Sequence, residues 1–244
     1  MLRFVTKQEL WKAEDEGVDR LVRGSSLRTL LGRGRPYDLK TIQDTLCVNW
    51  LKDRTDQSIA EVGGGHSRVL KYLASRNRCT NIDPLKGDGL GPKKAKTIRN
   101  VRNVLASLGD FSDMLTDDEF DVTFSISVIE HVATKQLDDF FKDCARITKG
   151  EGLTIHFIDV HLGDTPDINL PASRRLQKVK TSFAHYFVPL DTSQTIGDDV
   201  RFSCDYATNP DFAMNQWNKI SPKLEDRRRK AQLCSLIMAG APQH

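Results

Sequence analysis

The segment Ser58-Ile59-Ala60-Glu61-Val62-Gly63-Gly64-Gly65-His66-Ser67-Arg68 constrains this chain more than any other. A short apolar run carrying one acid meets three consecutive glycines, which reads as a strand turning sharply into a helix. Glycine has no Cβ, so such a turn lets backbone N–H groups approach a ligand at a helix N-terminus. Arg68 to Ser75 then continues as a helix with Val69, Leu70, Tyr72 and Leu73 inward. A phosphate-binding P-loop is excluded, because no Gly-Lys-Ser/Thr ending follows. The dinucleotide fingerprint is incomplete: Gly63 and Gly65 fit, but Arg68 occupies the third glycine position. Three adjacent glycines also occur in plain turns, so the surroundings decide what the loop means.

Those surroundings alternate. Cys79 to Asp83, Phe120 to Ser127 and Leu153 to Val160 read as strands, and Leu137 to Ile147 as a helix with Leu137, Phe140, Phe141, Cys144 and Ile147 on one face. Lys149-Gly150 provides a basic last turn and a glycine for a left-handed cap. Strands separated by helices imply parallel βαβ units covered on both faces. Before them, residues 7–52 read as helical, with Leu39, Ile42, Leu46 and Trp50 on one face and a break at Gly32 to Pro36. After them, Val200 to Tyr206 and Gln232 to Gly240 read as strands, and the polar, proline-interrupted 164–199 as a cap or substrate loop, too polar for core.

Composition narrows the class. In 244 residues, 39% are hydrophobic and no run approaches the roughly 18 apolar residues of a membrane span. The N-terminus lacks the apolar core of a secretory signal. Five scattered cysteines (Cys47, Cys79, Cys144, Cys204, Cys234) form no CxxC pair, which argues for reduced thiols, a cytoplasmic setting and no zinc-thiolate site. A net charge of +3 is too weak for a chain committed to nucleic acid.

Charge also separates the cofactors a glycine turn can hold. A carboxylate at Glu61 repels a pyrophosphate and favours an ammonium. S-adenosylmethionine carries an ammonium and a sulfonium, and no phosphate. Asp83, twenty residues after Gly63, stands where a carboxylate can accept both hydroxyls of a ribose, or where an Asp simply forms a turn before Pro84.

With these residues in order, the stretch from Ser58 to Val160 resembles the class I S-adenosylmethionine-dependent methyltransferases of small-molecule type. The resemblance maps the family's E/D-x-G-x-G-x-G loop onto Glu61, Gly63 and Gly65 with Gly64 between them, and Ser67 replaces the third glycine. It maps the ribose acid onto Asp83, beside Pro84, and implies that Asp110 bonds the adenine amino group with Phe111 packed nearby. Phe120 to Val132 is similar to the family's fourth-strand block, which places Ser127 beside the cofactor and Glu130-His131 after it. Thr148-Lys149-Gly150-Glu151-Gly152 stands at the family's L-K-P-G-G turn, without its proline.

The implied fold is α/β: a Rossmann-like, doubly wound, mostly parallel seven-stranded sheet with an antiparallel C-terminal strand. The expected divisions are an N-terminal helical cap or lid at 1–54, a cofactor-binding core at 55–162, a cap insertion at 163–199 and sheet-completing strands at 200–244. The expected reaction is methyl transfer from S-adenosylmethionine, leaving S-adenosylhomocysteine, to oxygen or nitrogen of a small-molecule acceptor such as a natural product, sugar or amine. Ligands of doubly wound sheets lie beyond the carboxyl ends of the strands. His131, Asp159 and His161 are therefore the acid–base candidates, histidine having a pKa suited to accepting a proton near neutrality. Glu130-His131 can equally be pocket-shaping, and His156 reads as a core histidine. Strand alternation separates His156 from His161, so no metal site is expected. The runs Lys93–Arg99, Arg174–Lys180 and Arg227–Lys230 read as solvated faces unless they converge on an anionic substrate or RNA. An RNA methyltransferase and a non-catalytic cofactor-binding scaffold remain the alternatives, and a homodimer stays open.

Overall fold

A computed structural model describes residues 1–23, 39–87, 92–94, 97–162, 171–190, 203–204 and 232–243. The strands are β1 (Leu2–Phe4), β2 (Ser58–Val62), β3 (Arg78–Ile82), β4 (Val101–Val104), β5 (Phe120–Ile126), β6 (Thr148–Leu162), β7 (Phe187–Pro189), β8 (Ser203–Cys204) and β9 (Gln232–Pro242). Seven of them form the continuous path β1-β9-β6-β5-β2-β3-β4, with β7 and β8 also paired to β9. From β4 to β6 every pairing is parallel, and β9 joins β6 antiparallel. The outer edge of β9 is a composite: β8 faces Leu233 and Cys234, β1 faces Leu236 to Met238, and β7 faces Gly240 to Pro242. Three short segments laid end to end pair the backbone groups of one long strand.

Strand alternation sorts the core into two layers. Ile59, Phe124, Ile155, Phe157 and Ile237 face helices α1 (Lys7–Asp15), α2 (Val18–Arg23), α3 (Leu39–Leu51) and α4 (Arg68–Leu73), whose Leu10, Val18, Ile42, Leu46 and Val69 join the same cluster. Ile158, Val160, Leu236 and Met238 point the other way, onto α5 (Leu137–Ile147) and α6 (Pro171–Tyr186). The segment expected as a lid thus contributes a strand to the sheet and helices to its main core. Its Gly32–Pro36 break lies outside the described residues.

Two expectations need correction. Residues 171–190 are not too polar for the core: α6 buries Val179 and Phe183, and Phe187 of β7 is fully buried. Pro171 is harmless at a first helical turn, where no N–H is needed, and a 3–4-residue apolar spacing underlies the polar composition. Gly150 is not a left-handed cap either, since Thr148 leaves α5 in extended conformation (φ −93°, ψ 131°) and its hydroxyl donates to Cys144 O at 2.7 Å. Thr148 pairs with Phe120 and Leu153 with Val122, so residues 149–152 bulge out at the start of β6.

Among the described residues no helix is long and apolar enough to cross a membrane. Cys47, Cys79, Cys144 and Cys234 are buried.

Candidate cofactor and acceptor site

The glycine loop hangs between β2 and β3. Gly63 N donates to Ile82 O at 2.7 Å and Gly65 N to Asp83 Oδ2 at 3.0 Å, which binds the loop to the end of the next strand. Gly63 and Gly65 hold φ of 67° and 52°, the left-handed region that a side chain disfavours. Gly64 is required for space, because a Cβ there would lie 2.7 Å from Asn81 Oδ1 and 2.9 Å from Glu61 Cδ. Ser67, the departure from the glycine pattern, caps α4 by accepting from Leu70 N at 2.8 Å. Its hydroxyl also donates to Glu61 Oε2.

Glu61 is 2% exposed. Burial pushes its carboxyl up to about 7; Lys40 and the Ser67 bond pull it down, while Asp44 and Asp83 push it further up. Among the described residues no lysine or arginine forms an ion pair with it; Asp44 takes Lys40 and Arg68 instead, at 4.0 and 2.5 Å. A desolvated acid without a paired cation at the mouth of a glycine turn suits an ammonium. Asn81 Oδ1, behind Gly64, is a buried acceptor without a hydrogen-bond partner among the described residues. These residues fit the amino-acid end of S-adenosylmethionine.

Asp83 does both things the sequence left open. Its Oδ1 accepts from Leu85 N at 2.7 Å, closing a turn at Pro84, and the residue stays partly exposed. Beyond it lies an open cleft of about 570 Å³, lined by Pro84, Leu105, Asp110, Phe111 and Met114 among others. Leu105, Phe111 and Met114 are 61%, 38% and 54% exposed, an apolar floor for a flat ring, and Asp110 is exposed at its rim. The loop carrying them is held by a residue the sequence reading missed: the fully buried Asp143 of α5 accepts Gly109 N at 2.8 Å and Phe111 N at 3.2 Å. An acid set among the apolar positions of α5 was the available signal.

At the ends of β5 and β6, Ser127 (φ 54°) turns the chain, and its hydroxyl lies 2.8 Å from Gln43 Oε1 and 3.0 Å from Asp159 Oδ1. Gln43 Nε2 donates to the same Asp159 oxygen at 2.9 Å and to Ser235 Oγ at 3.0 Å. Gln43, on the buried face of α3, was not foreseen. Ile129–His131 forms a 3-10 turn that leaves His131 exposed. The His161 side chain lies outside the described residues; its backbone pairs with Leu233.

Arg175 of α6 grips the turn. One guanidinium nitrogen donates to Ile129 O, Glu130 O and Val132 O at 2.9, 3.1 and 2.5 Å, and the other to Thr134 Oγ1 at 2.8 Å. Arg175 and Lys178, read as part of a solvated face, are tied to this turn and to Asp138. His156 is a core residue: fully buried, 2.8 Å from Ser125 Oγ, surrounded by Phe140, Phe141 and Phe183, and lowered by burial to about 3. Among the described residues no three His, Cys, Asp or Glu side chains gather to hold a metal.

The family model described as "Methyltransferase domain" matches residues 60–156. No curated protein matches the sequence. Among solved structures, geranyl diphosphate C-methyltransferase from Streptomyces coelicolor aligns with a TM-score of 0.56 at 12% identity, covering 84% of this chain and 80% of that one. The N-methyltransferase NodS from Bradyrhizobium japonicum gives 0.52 at 13% identity, covering 97% and 99%. The YcgJ protein from Bacillus subtilis gives 0.53 at 16%, covering 82% and 97%. Such identities speak for the shared fold. Over residues 60–156, which carry the glycine loop and most of the parallel strands already described, this chain is similar to a methyltransferase domain.

Proposed function

We propose that this enzyme methylates an oxygen or nitrogen of a small-molecule acceptor, and that its two ligands meet beyond the carboxyl ends of β2, β5 and β6. Glu61 and the Gly63-Gly64-Gly65 turn hold the methionine part of the cofactor. Asp83, beside Pro84, takes the ribose, Asp110 and Phe111 take the adenine, and Ser127 borders the sulfur. When bound, S-adenosylmethionine supplies a methyl group on a cationic sulfur, so the chain must align a nucleophile and remove its proton. Asp159, His131 and His161 stand at the ends of β5 and β6 for that task. Asp159 has one oxygen engaged by Gln43 and Ser127, which fixes its orientation.

The observation carrying this reading is Glu61, a buried acid at about 7 with no paired cation among the described residues, at the head of a glycine turn beside a half-apolar cleft. Calorimetry with S-adenosylhomocysteine tests it: Glu61→Ala and Asp83→Ala lose affinity, while the wild type turns S-adenosylmethionine over against one member of a panel of amines, alcohols and sugars. Wild-type affinity in both variants, or no methylated product across the panel, defeats it.

A further inference from the structure

Glu130 is a buried acid that the cofactor does not use. Both of its carboxylate oxygens are shut off from solvent, and neither has a hydrogen-bond partner among the described residues. Burial pushes this carboxyl well above its ordinary range and Asp159 pushes it further; the backbone N–H groups of Glu130 and Asp159, near it but outside hydrogen-bond geometry, and the charge of Lys40 on α3 ease it by less. The donors nearby are spent elsewhere: Ser127 and Gln43 both serve Asp159 Oδ1. Nor is the turn slack, since the Arg175 guanidinium from α6 holds the carbonyls of Ile129, Glu130 and Val132. His131, next in the chain, is exposed.

A buried carboxylate without a paired cation is strongly disfavoured in its charged form, and a second acid beside it adds to that. Such a pair persists where something that binds completes it. Glu130 follows the end of β5, and Asp159 lies on the part of β6 that runs on beyond that end, the side of a doubly wound sheet where ligands bind. A hydroxyl brings one donor and no charge. A phosphate or carboxylate is repelled. A protonated nitrogen brings two or three donors and the charge that both acids lack.

We propose that Glu130 and Asp159 form a subsite for an ammonium group, so that the acceptor is an amine, bound by its nitrogen. This rests on the methyl-transfer reading above and narrows it from oxygen or nitrogen to nitrogen.

The test uses the full chain saturated with S-adenosylhomocysteine and three probes of matched size: n-butylammonium, n-butanol and butyrate, titrated calorimetrically. Butylammonium binds at least about tenfold more tightly than butanol, and butyrate does not bind. Glu130→Gln and Asp159→Asn each reduce the amine preference to about twofold or less. Glu130→Gln leaves S-adenosylhomocysteine affinity unchanged and melts no lower than wild type, because it removes an uncompensated charge. Equal binding of butylammonium and butanol, an amine preference that survives in both variants, or a melting point lowered in Glu130→Gln overturns the proposal. Magnesium ion displacing butylammonium at equal concentration overturns it too, in favour of a cation site. If S-adenosylhomocysteine itself fails to bind wild type, the methyl-transfer reading falls and takes this inference with it. If it binds and the amine preference is absent, only the inference falls.

Discussion

Glu61 and Glu130 are buried acids at the ends of two adjacent parallel strands, β2 and β5, yet they are buried differently. Glu61 is answered within its own turn: Ser67, six residues on, gives it a hydroxyl and starts α4 with the same oxygen. Glu130 receives no side-chain hydrogen bond among the described residues, and the charges that act on it, Asp159 on β6 and Lys40 on α3, are distant in sequence. A local acid is tuned by its own motif. An acid acted on by distant elements is tuned by the fold.

The sharpest way to break this contrast is to remove each acid in turn. Glu61→Ala lowers S-adenosylhomocysteine affinity by about 100-fold, the worth of a charge-assisted pair, whereas Glu130→Ala changes it by about twofold or less. Equal losses in calorimetry would make the two acids one site.

Proton linkage sharpens it next. The Glu61 carboxyl sits at about 7 in the free protein, and an ammonium binds its ionised form. Cofactor affinity therefore falls about tenfold per pH unit below 7 and is level above it, and Glu61→Gln abolishes the slope. Stability runs the opposite way. The folded carboxyl is raised from 4.5 to about 7, so its contribution is fully present below about 4.5 and is lost as pH rises through 7. The loss approaches about 3 kcal/mol, read as a urea midpoint that drops between pH 5 and pH 8 in wild type and less in Glu61→Gln.

Smaller effects come from the supports. Gly64→Ala pushes a Cβ against Asn81 Oδ1 and Glu61, costing about 2 kcal/mol by urea denaturation and loosening the cofactor. Arg175→Ala frees the Ile129–Val132 turn, lowering kcat about tenfold with KM for the cofactor unchanged. Arg175→Lys fails to rescue it, because an ammonium lacks the planar fork that serves the turn carbonyls and Thr134 at once. Lys178→Ala, which breaks a half-exposed pair with Asp138, shifts stability by about 0.5 kcal/mol or less.

Legibility followed the range of the interactions. β2, the glycine turn, β3, β5 and α5 were readable because their patterns complete themselves within a few residues. β4 was missed: Arg102 and Asn103 are exposed on an edge strand, and no alternation marks it. β1 is three residues long and exists through pairing with β9, more than 230 residues away. α6 was hidden by its polar face. On the site side, the bond of Asp83 to the glycine loop follows a strand–turn–helix–strand pattern legible in the chain, but the bonds of Gln43 to Asp159 and of Arg175 to the Glu130 turn span 116 and 45 residues, and no local pattern announces them.

The sequence by itself therefore determined the glycine turn proposed to hold the cofactor: an acid, a turn only glycine can make, and a serine that caps a helix are short-range chemistry, set by backbone sterics and hydrogen bonds a few residues apart. The tertiary structure decided the surroundings of β5 and β6 proposed to take the acceptor. The protonation of Glu130, the orientation of Asp159 and the grip of Arg175 depend on which distant groups exclude water from one another, and desolvation belongs to the packed fold, not to any stretch of chain.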